Sequence, residues 1–324
     1  MSFRNIHGQD RQIAVLTSAI ERDRLAHAYL FHGMAGVGKR TAAETFAKAL
    51  NCEKGGTDSC DCCASCRKID HGTHVDVITL RANGALIKID QIRELRDRMS
   101  FRPLEAKRRV VIIDQAEAMN GPSQNAFLKT LEEPRPLNIM VLVTSRPHQL
   151  AATIVSRCQR VRFSPLRRKD MTAALLSRGM DFPAAEILAA SSGGSVGRAI
   201  TLSDTDYIQD KGLFIERLEK LCDGRDPLTL VLAAGLFGDG REKTLEKLSL
   251  LRSWYRDLLV FRETGEEDRL FHSDMAHMAL VKASRLQRHA LLGRIDAVNR
   301  AHKAVEQNVN RQIVLEAMLL SLAE

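Results

Sequence analysis

The chain has 324 residues, 44% hydrophobic and 27% charged, with 48 lysines and arginines against 40 aspartates and glutamates for a formal net charge of +8. At about 100–200 residues per domain, this length makes two or three packed domains, and the composition excludes a disordered or fibrous chain. The positive balance suits work near a polyanion without establishing it.

Residues 1–20 carry Arg4, Asp10 and Arg11 and lack the apolar block and small-residue cleavage site of a secretory signal. No stretch approaches the roughly 18 uninterrupted apolar residues of a membrane helix, so a cytoplasmic protein with no membrane partner is expected. Short apolar runs lie at 28–31, 75–80, 110–113, 140–143 and 161–163, with helix-length segments between them. Their β-branched residues and spacing predict an α/β domain, a mostly parallel sheet with helices on both faces.

The first run leads into Gly33-Met34-Ala35-Gly36-Val37-Gly38-Lys39-Arg40-Thr41 and then a helical pattern with Phe46, Ala47 and Leu50 apolar. Strand, glycine loop, lysine and helix in that order make a P-loop. Gly33, Gly36 and Gly38 let backbone N–H groups curl around phosphate oxygens, and Lys39 would reach the β- and γ-phosphates of ATP. The motif wants Ser or Thr directly after the lysine, to ligate Mg²⁺. Here Arg40 stands in that place and Thr41 comes one position late, which puts the metal in doubt. The other reading is a glycine turn kept for structure.

Five of the seven cysteines fall between positions 52 and 66. In a reducing cytoplasm such a cluster is metal-binding rather than disulfide-forming. Cys52, Cys60, Cys63 and Cys66 offer four thiolates for a closed, structural Zn²⁺ site. Cys62 is an alternative to its neighbour Cys63, and redox signalling is an alternative to zinc. His71 and His74 are expected at the surface, because four thiolates already complete the shell.

Arg102, Lys107, Arg108 and Arg109 precede the run 110–113; they are either a solvated lead-in to a strand or an approach to DNA phosphates. That run ends in Asp114, the position from which a carboxylate holds Mg²⁺ in P-loop enzymes. The residue after it, ordinarily a Glu that polarises the attacking water, is Gln115, which can hydrogen-bond a water but cannot take its proton. Little or no intrinsic ATP hydrolysis is expected, with nucleotide binding surviving where turnover does not.

Beyond residue 165 the strand signal disappears. Segments 171–176 and 184–191 have the pattern of short helices, closed by the Gly193-Gly194 break, and from about 206 onward the chain is helical in pattern. Leu315, Met318, Leu319 and Leu322 form one stripe on the last helix, either ordinary core or a subunit contact.

These residues resemble the AAA+ clamp-loader subunits of bacterial DNA polymerase III, and the resemblance covers the whole chain. It is carried by Gly8-Gln9, by His27-Ala28-Tyr29-Leu30-Phe31, by the cysteines inserted after the P-loop helix, by Asn125-Ala126-Phe127-Leu128-Lys129-Thr130-Leu131-Glu132-Glu133-Pro134, by Thr144-Ser145 and by Ser156-Arg157-Cys158. The resemblance implies a nucleotide-binding domain over 1–165 with its zinc module at 52–66, a helical lid over 166–205 and a helical collar over 206–324. It implies that Arg157 is an arginine finger reaching the γ-phosphate in a neighbouring subunit, and that Thr144 is a sensor residue. Arg198 falls at the lid arginine position, with a solvated helix start as the alternative. Trp254-Tyr255-Arg256-Asp257-Leu258-Leu259 and Asn308-Val309-Asn310-Arg311 are similar to the family's collar helices.

The implied partners are motor and clamp-opening subunits in a hetero-pentamer, a sliding clamp, and primer-template DNA, at the replisome and nucleoid. DNA synthesis would belong only to the holoenzyme. Arg40 and Gln115 place the chain among the family's stator subunits, which have lost catalytic residues. The alternative is a motor subunit in which Thr41 rescues Mg²⁺ binding and another acid replaces Gln115.

Overall fold

The computed structural model describes residues 1–324 except Asn83, Thr205, Asp206, Arg225 and Glu324. The expected lid–collar boundary at 205–206 lies outside the described residues. The chain divides into two compact units, the first made of Met1–Arg178 with Gly194–Arg198 and the second of Gly179–Gly193 with Ala199–Glu324.

In chain order the first unit holds α1 (Asp10–Glu21), β1 (Ala28–Gly33), α2 (Lys39–Asn51), α3 (Ala64–Asp70), β2 (Val77–Leu80), α4 (Ile89–Met99), β3 (Arg109–Ile113), α5 (Gly121–Glu132), β4 (Asn138–Thr144), α6 (Ala152–Ser156), β5 (Gln159–Phe163) and α7 (Arg168–Leu176). The five strands form one parallel sheet in the order β2-β3-β4-β1-β5, with Ala28 opposite Met140, Tyr29 opposite Gln159 and Val77 opposite Val110. Successive side chains on a strand point to opposite faces, so a strand covered on both sides is apolar without alternation. That accounts for the continuous runs in the sequence. Leu30, Val111, Ile113, Met140 and Leu142 pack with Ile92 and Leu95 of α4, Phe127 and Leu131 of α5 and Ile154 of α6. On the other face Tyr29 meets Phe46 of α2 edge to face at 5.2 Å. Gln9 is fully buried and joins the start of α1 to the end of β5, its Nε2 donating to Ser164 O at 2.7 Å.

Two charged residues lie deeper than their type suggests. Arg109, expected either in a solvated lead-in or near DNA, is the first residue of β3 and only 4% exposed. Its Nη2 meets Asp76 Oδ1 at 2.8 Å, and its Nη1 donates to the carbonyls of Arg98 and Phe101. Its former companions go elsewhere: Arg108 pairs with Asp23, Lys107 donates to Cys52 O, and Arg102 is exposed. His74, expected at the surface, is 5% exposed, with its Nδ1 accepting from the Asp76 N–H.

The expected lid 166–205 is shared between the two units, because Leu166 N donates to Gly194 O and Gly194 packs on Pro165 and Leu166. The second unit is built from α8 (Phe182–Ser191), the later part of α9 (Val196–Ser203), α10 (Tyr207–Gly224), α11 (Pro227–Leu232), α12 (Arg241–Thr264), α13 (Ala276–Arg285), α14 (Arg288–Glu306) and α15 (Arg311–Ala323). Leu251, Trp254 and Leu258 of α12 share its core with Val298 of α14 and with Leu315, Met318, Leu319 and Leu322 of α15. The stripe on the last helix is therefore this chain's own core. Trp254 Nε1 donates to Glu219 Oε1 at 3.0 Å, which satisfies the buried indole. No described helix is long and apolar enough to cross a membrane.

Candidate nucleotide site and cysteine cluster

The carboxyl ends of parallel strands are where such sheets present their sites. Three of them converge here: the glycine loop after β1, Asp114 after β3, and Thr144-Ser145 at the end of β4. Gly36 and Gly38 have φ of 75° and 92°, left-handed values that glycine adopts without strain, and Gly38 is the N-cap of α2. A side chain on Gly36 would also strike Ser195 Oγ, since this hydroxyl donates to Ala35 O and Gly197 N donates to Gly36 O. Arg198 is exposed, its backbone N–H bonded to Ser195 Oγ.

Lys39 is 5% exposed, and its ammonium donates to Gly33 O and Met34 O at 2.7 Å and to Ser145 Oγ at 3.2 Å. Burial pushes its pKa below the usual lysine value, against the pull of Glu117 and Asp114. Thr144 is buried with its hydroxyl accepting from Arg146 N, so the hydroxyl that meets Lys39 belongs to the next residue, Ser145. Ser145 N in turn donates to Glu117 Oε1. Ser145 and Glu117 were missed by sequence reasoning. A second hydroxyl beside Thr144 and an acid three positions after Asp114 were the signals available.

The metal position differs from that of an active P-loop enzyme. Arg40 Nη1 lies 3.6 Å from Asp114 Oδ2 while its Nε donates to Glu44 at 2.8 Å. Arg81, from the segment after β2, brings its Nε to 3.9 Å from the same Asp114 oxygen. Thr41 is one residue further along α2, about 100° around the helix from the position the motif reserves for a hydroxyl. Gln115 is exposed in a left-handed conformation with φ 54°. Asp114 thus faces two guanidiniums, with Arg40 where the motif places its hydroxyl, and these residues do not fit Mg²⁺.

Arg157 follows α6 and is 37% exposed, its Nη2 on Glu132 Oε1 at 2.9 Å and its Nη1 on Thr153 O at 3.1 Å. Both acceptors sit near the surface, so the guanidinium is held by one exposed ion pair, an interaction worth about 0–1 kcal/mol.

The ligand atoms of Cys52, Cys60, Cys63 and Cys66 all lie within 4.8 Å of one another. A tetrahedral ion with bonds of about 2.3 Å sets sulfurs about 3.8 Å apart, so the quartet fits zinc without large movement. Cys62 is exposed and outside the quartet. Cys63 caps α3 by accepting from Cys66 N, and Cys52 follows the last residue of α2. The N–H groups of Cys62 and Cys63 lower the Cys60 pKa to about 6, while burial raises that of Cys66. The module is anchored by Lys48 of α2, 1% exposed, which pairs with Asp61 at 2.5 Å and Asp70 at 2.7 Å.

Residues 8–167 match the family described as "DNA polymerase III, delta subunit", and residues 207–324 the one described as "DNA polymerase III, delta subunit, C terminal". The chain is 33% identical to the DNA polymerase III subunit delta' of Bacillus subtilis, an alignment covering 98% of this chain and 96% of the relative. It is 32% identical to the subunit delta' of Pseudomonas aeruginosa, over 93% of each chain. To the longer subunit tau of Bacillus subtilis it is 28% identical, over 99% of this chain and 61% of that one.

Proposed function

The chain belongs to the family of DNA polymerase III delta prime subunits, and from that premise we propose that it is the stator of a clamp loader, a subunit that holds nucleotide without turning it over. The observation that carries the stator assignment is Arg40, whose guanidinium lies beside Asp114 where a catalytic subunit would hold its metal. Gln115 supports it, since an amide cannot accept the proton of an attacking water.

In this reading Arg157 leaves its ion pair with Glu132 and reaches the γ-phosphate bound by a neighbouring motor subunit. A guanidinium there stabilises charge developing on the transferred phosphoryl group, worth on the order of 10³–10⁵ in rate. The exposed pair with Glu132 supports this, because little is lost when the side chain moves to a partner. Residues 1–165 hold the nucleotide fold, 166–205 act as lid and 206–324 as collar, in a hetero-pentamer that opens a sliding clamp and places it on primer-template DNA. Zn²⁺ held by Cys52, Cys60, Cys63 and Cys66 is structural and holds the excursion between α2 and α3 in one conformation.

ATP turnover by the isolated chain and by the reconstituted complex tests the proposal. The isolated chain should show none above background while the complex depends on Arg157; turnover by the isolated chain would make it a motor subunit instead.

A further inference from the structure

Asp114 ordinarily shares a divalent cation with the hydroxyl that follows the P-loop lysine. In this chain that hydroxyl is replaced by Arg40, and the replacement has a definite place: Nη1 is 3.6 Å from Asp114 Oδ2, with Nε fixed by Glu44 at 2.8 Å. Arg81 approaches the same oxygen to 3.9 Å. Two guanidiniums thus face one carboxylate in the cation's place, with Glu44 balancing part of the Arg40 charge. A divalent ion entering the same space would meet like charge from both and find no hydroxyl ligand. The Arg40 side chain is 43% exposed, and a guanidinium has five N–H donors, so the hydrogen bond to Glu44 and the looser ion pair with Asp114 leave others for phosphate oxygens.

The geometry points to a P-loop that binds the polyphosphate of a nucleoside triphosphate without a divalent cation, with Arg40 in the cation's place and Arg81 beside it. This rests on the reading above that the loop holds nucleotide. Lys39, whose ammonium donates to two loop carbonyls and Ser145, exchanges the carbonyls for phosphate. With no divalent cation bridging the β- and γ-oxygens, and with Gln115 unable to take a proton from an attacking water, the bound triphosphate stays intact and serves as a fixed part of the fold.

The test is equilibrium binding of a fluorescent ATP analogue to the full chain, followed by anisotropy, in excess Mg²⁺ and in EDTA. Wild type should bind at least as tightly in EDTA as in Mg²⁺. Arg40→Ser, an exposed substitution that restores the hydroxyl, should bind about tenfold more tightly in Mg²⁺ than in EDTA, and Lys39→Ala should lose binding in both. Wild-type binding that disappears in EDTA overturns the metal-free site while leaving nucleotide binding in place. Absence of wild-type binding under both conditions overturns the nucleotide reading itself, and the inference with it.

Discussion

Asp76→Ala should be among the most destabilising single changes in the nucleotide fold. Asp76 is fully buried; its Oδ2 accepts from the N–H groups of Leu104, Glu105 and Ala106, and its Oδ1 from Arg109. Removing one member of a buried ion pair leaves the other charge unpaired and costs about 3–5 kcal/mol. The three freed N–H groups add little, since the chain at 104–106 is exposed or half-buried and water can replace the carboxylate. For a unit of this size each kcal/mol moves the melting midpoint by about 2–4 °C, so a fall of about 6–20 °C is expected.

Urea titration followed by circular dichroism measures the loss. Fluorescence of the single tryptophan, Trp254 in the second unit, should report a smaller change. Burial alone would raise the Asp76 pKa, but the N–H groups of Glu105, Ala106 and Leu104 and the Arg109 guanidinium together hold it below the ordinary 3.8. A lowered carboxyl pKa gives stability that is complete above the unfolded value and lost as pH falls through the folded one. The difference between wild type and variant should therefore be constant above about pH 5 and shrink below about pH 4. The double variant Asp76→Leu/Arg109→Met should recover most of the loss. A single-variant cost below about 1 kcal/mol would refute the reasoning and mean that water already reaches Arg109.

The purified chain should hold one equivalent of zinc by elemental analysis; Cys63→Ser should lose it and Cys62→Ser should keep it. Lys48→Met should cost about 1 kcal/mol in urea titration and speed zinc release to a chelator, because Asp61 and Asp70 lose their shared cation but remain exposed enough to hydrate. Gln115→Glu alone should leave the isolated chain without ATP turnover in a phosphate-release assay, since Arg40 still occupies the cation's place.

The parts of this fold that sequence makes legible are those with a local signature. The strands stand out because both faces are covered, which turns alternation into unbroken apolar runs. The P-loop and the cysteine quartet stand out because their chemistry depends on short spacings. Arg109 and Asp76 form the opposite case: 33 positions separate them, and a charge at a strand's start looks solvated until its partner is found. Arg81 and Glu117 come to the candidate nucleotide site from segments that carry no motif, and Ser145 from a motif whose contact with Lys39 no local pattern shows; all are placed there by a strand order that chain order does not disclose. Arg40 was legible as a departure from the motif, but its closeness to Asp114 was not. The bond from Leu166 N to Gly194 O joins positions far apart in the chain, and no local pattern discloses it.

The most direct measurement of the account is clamp- and DNA-stimulated ATP hydrolysis by the complex reconstituted with its motor and clamp-opening subunits, comparing wild type with Arg157→Ala at equal assembly by size-exclusion chromatography. A large loss of turnover with the assembly intact is the predicted result. Unchanged turnover would contradict it and leave Arg157 as a surface partner of Glu132.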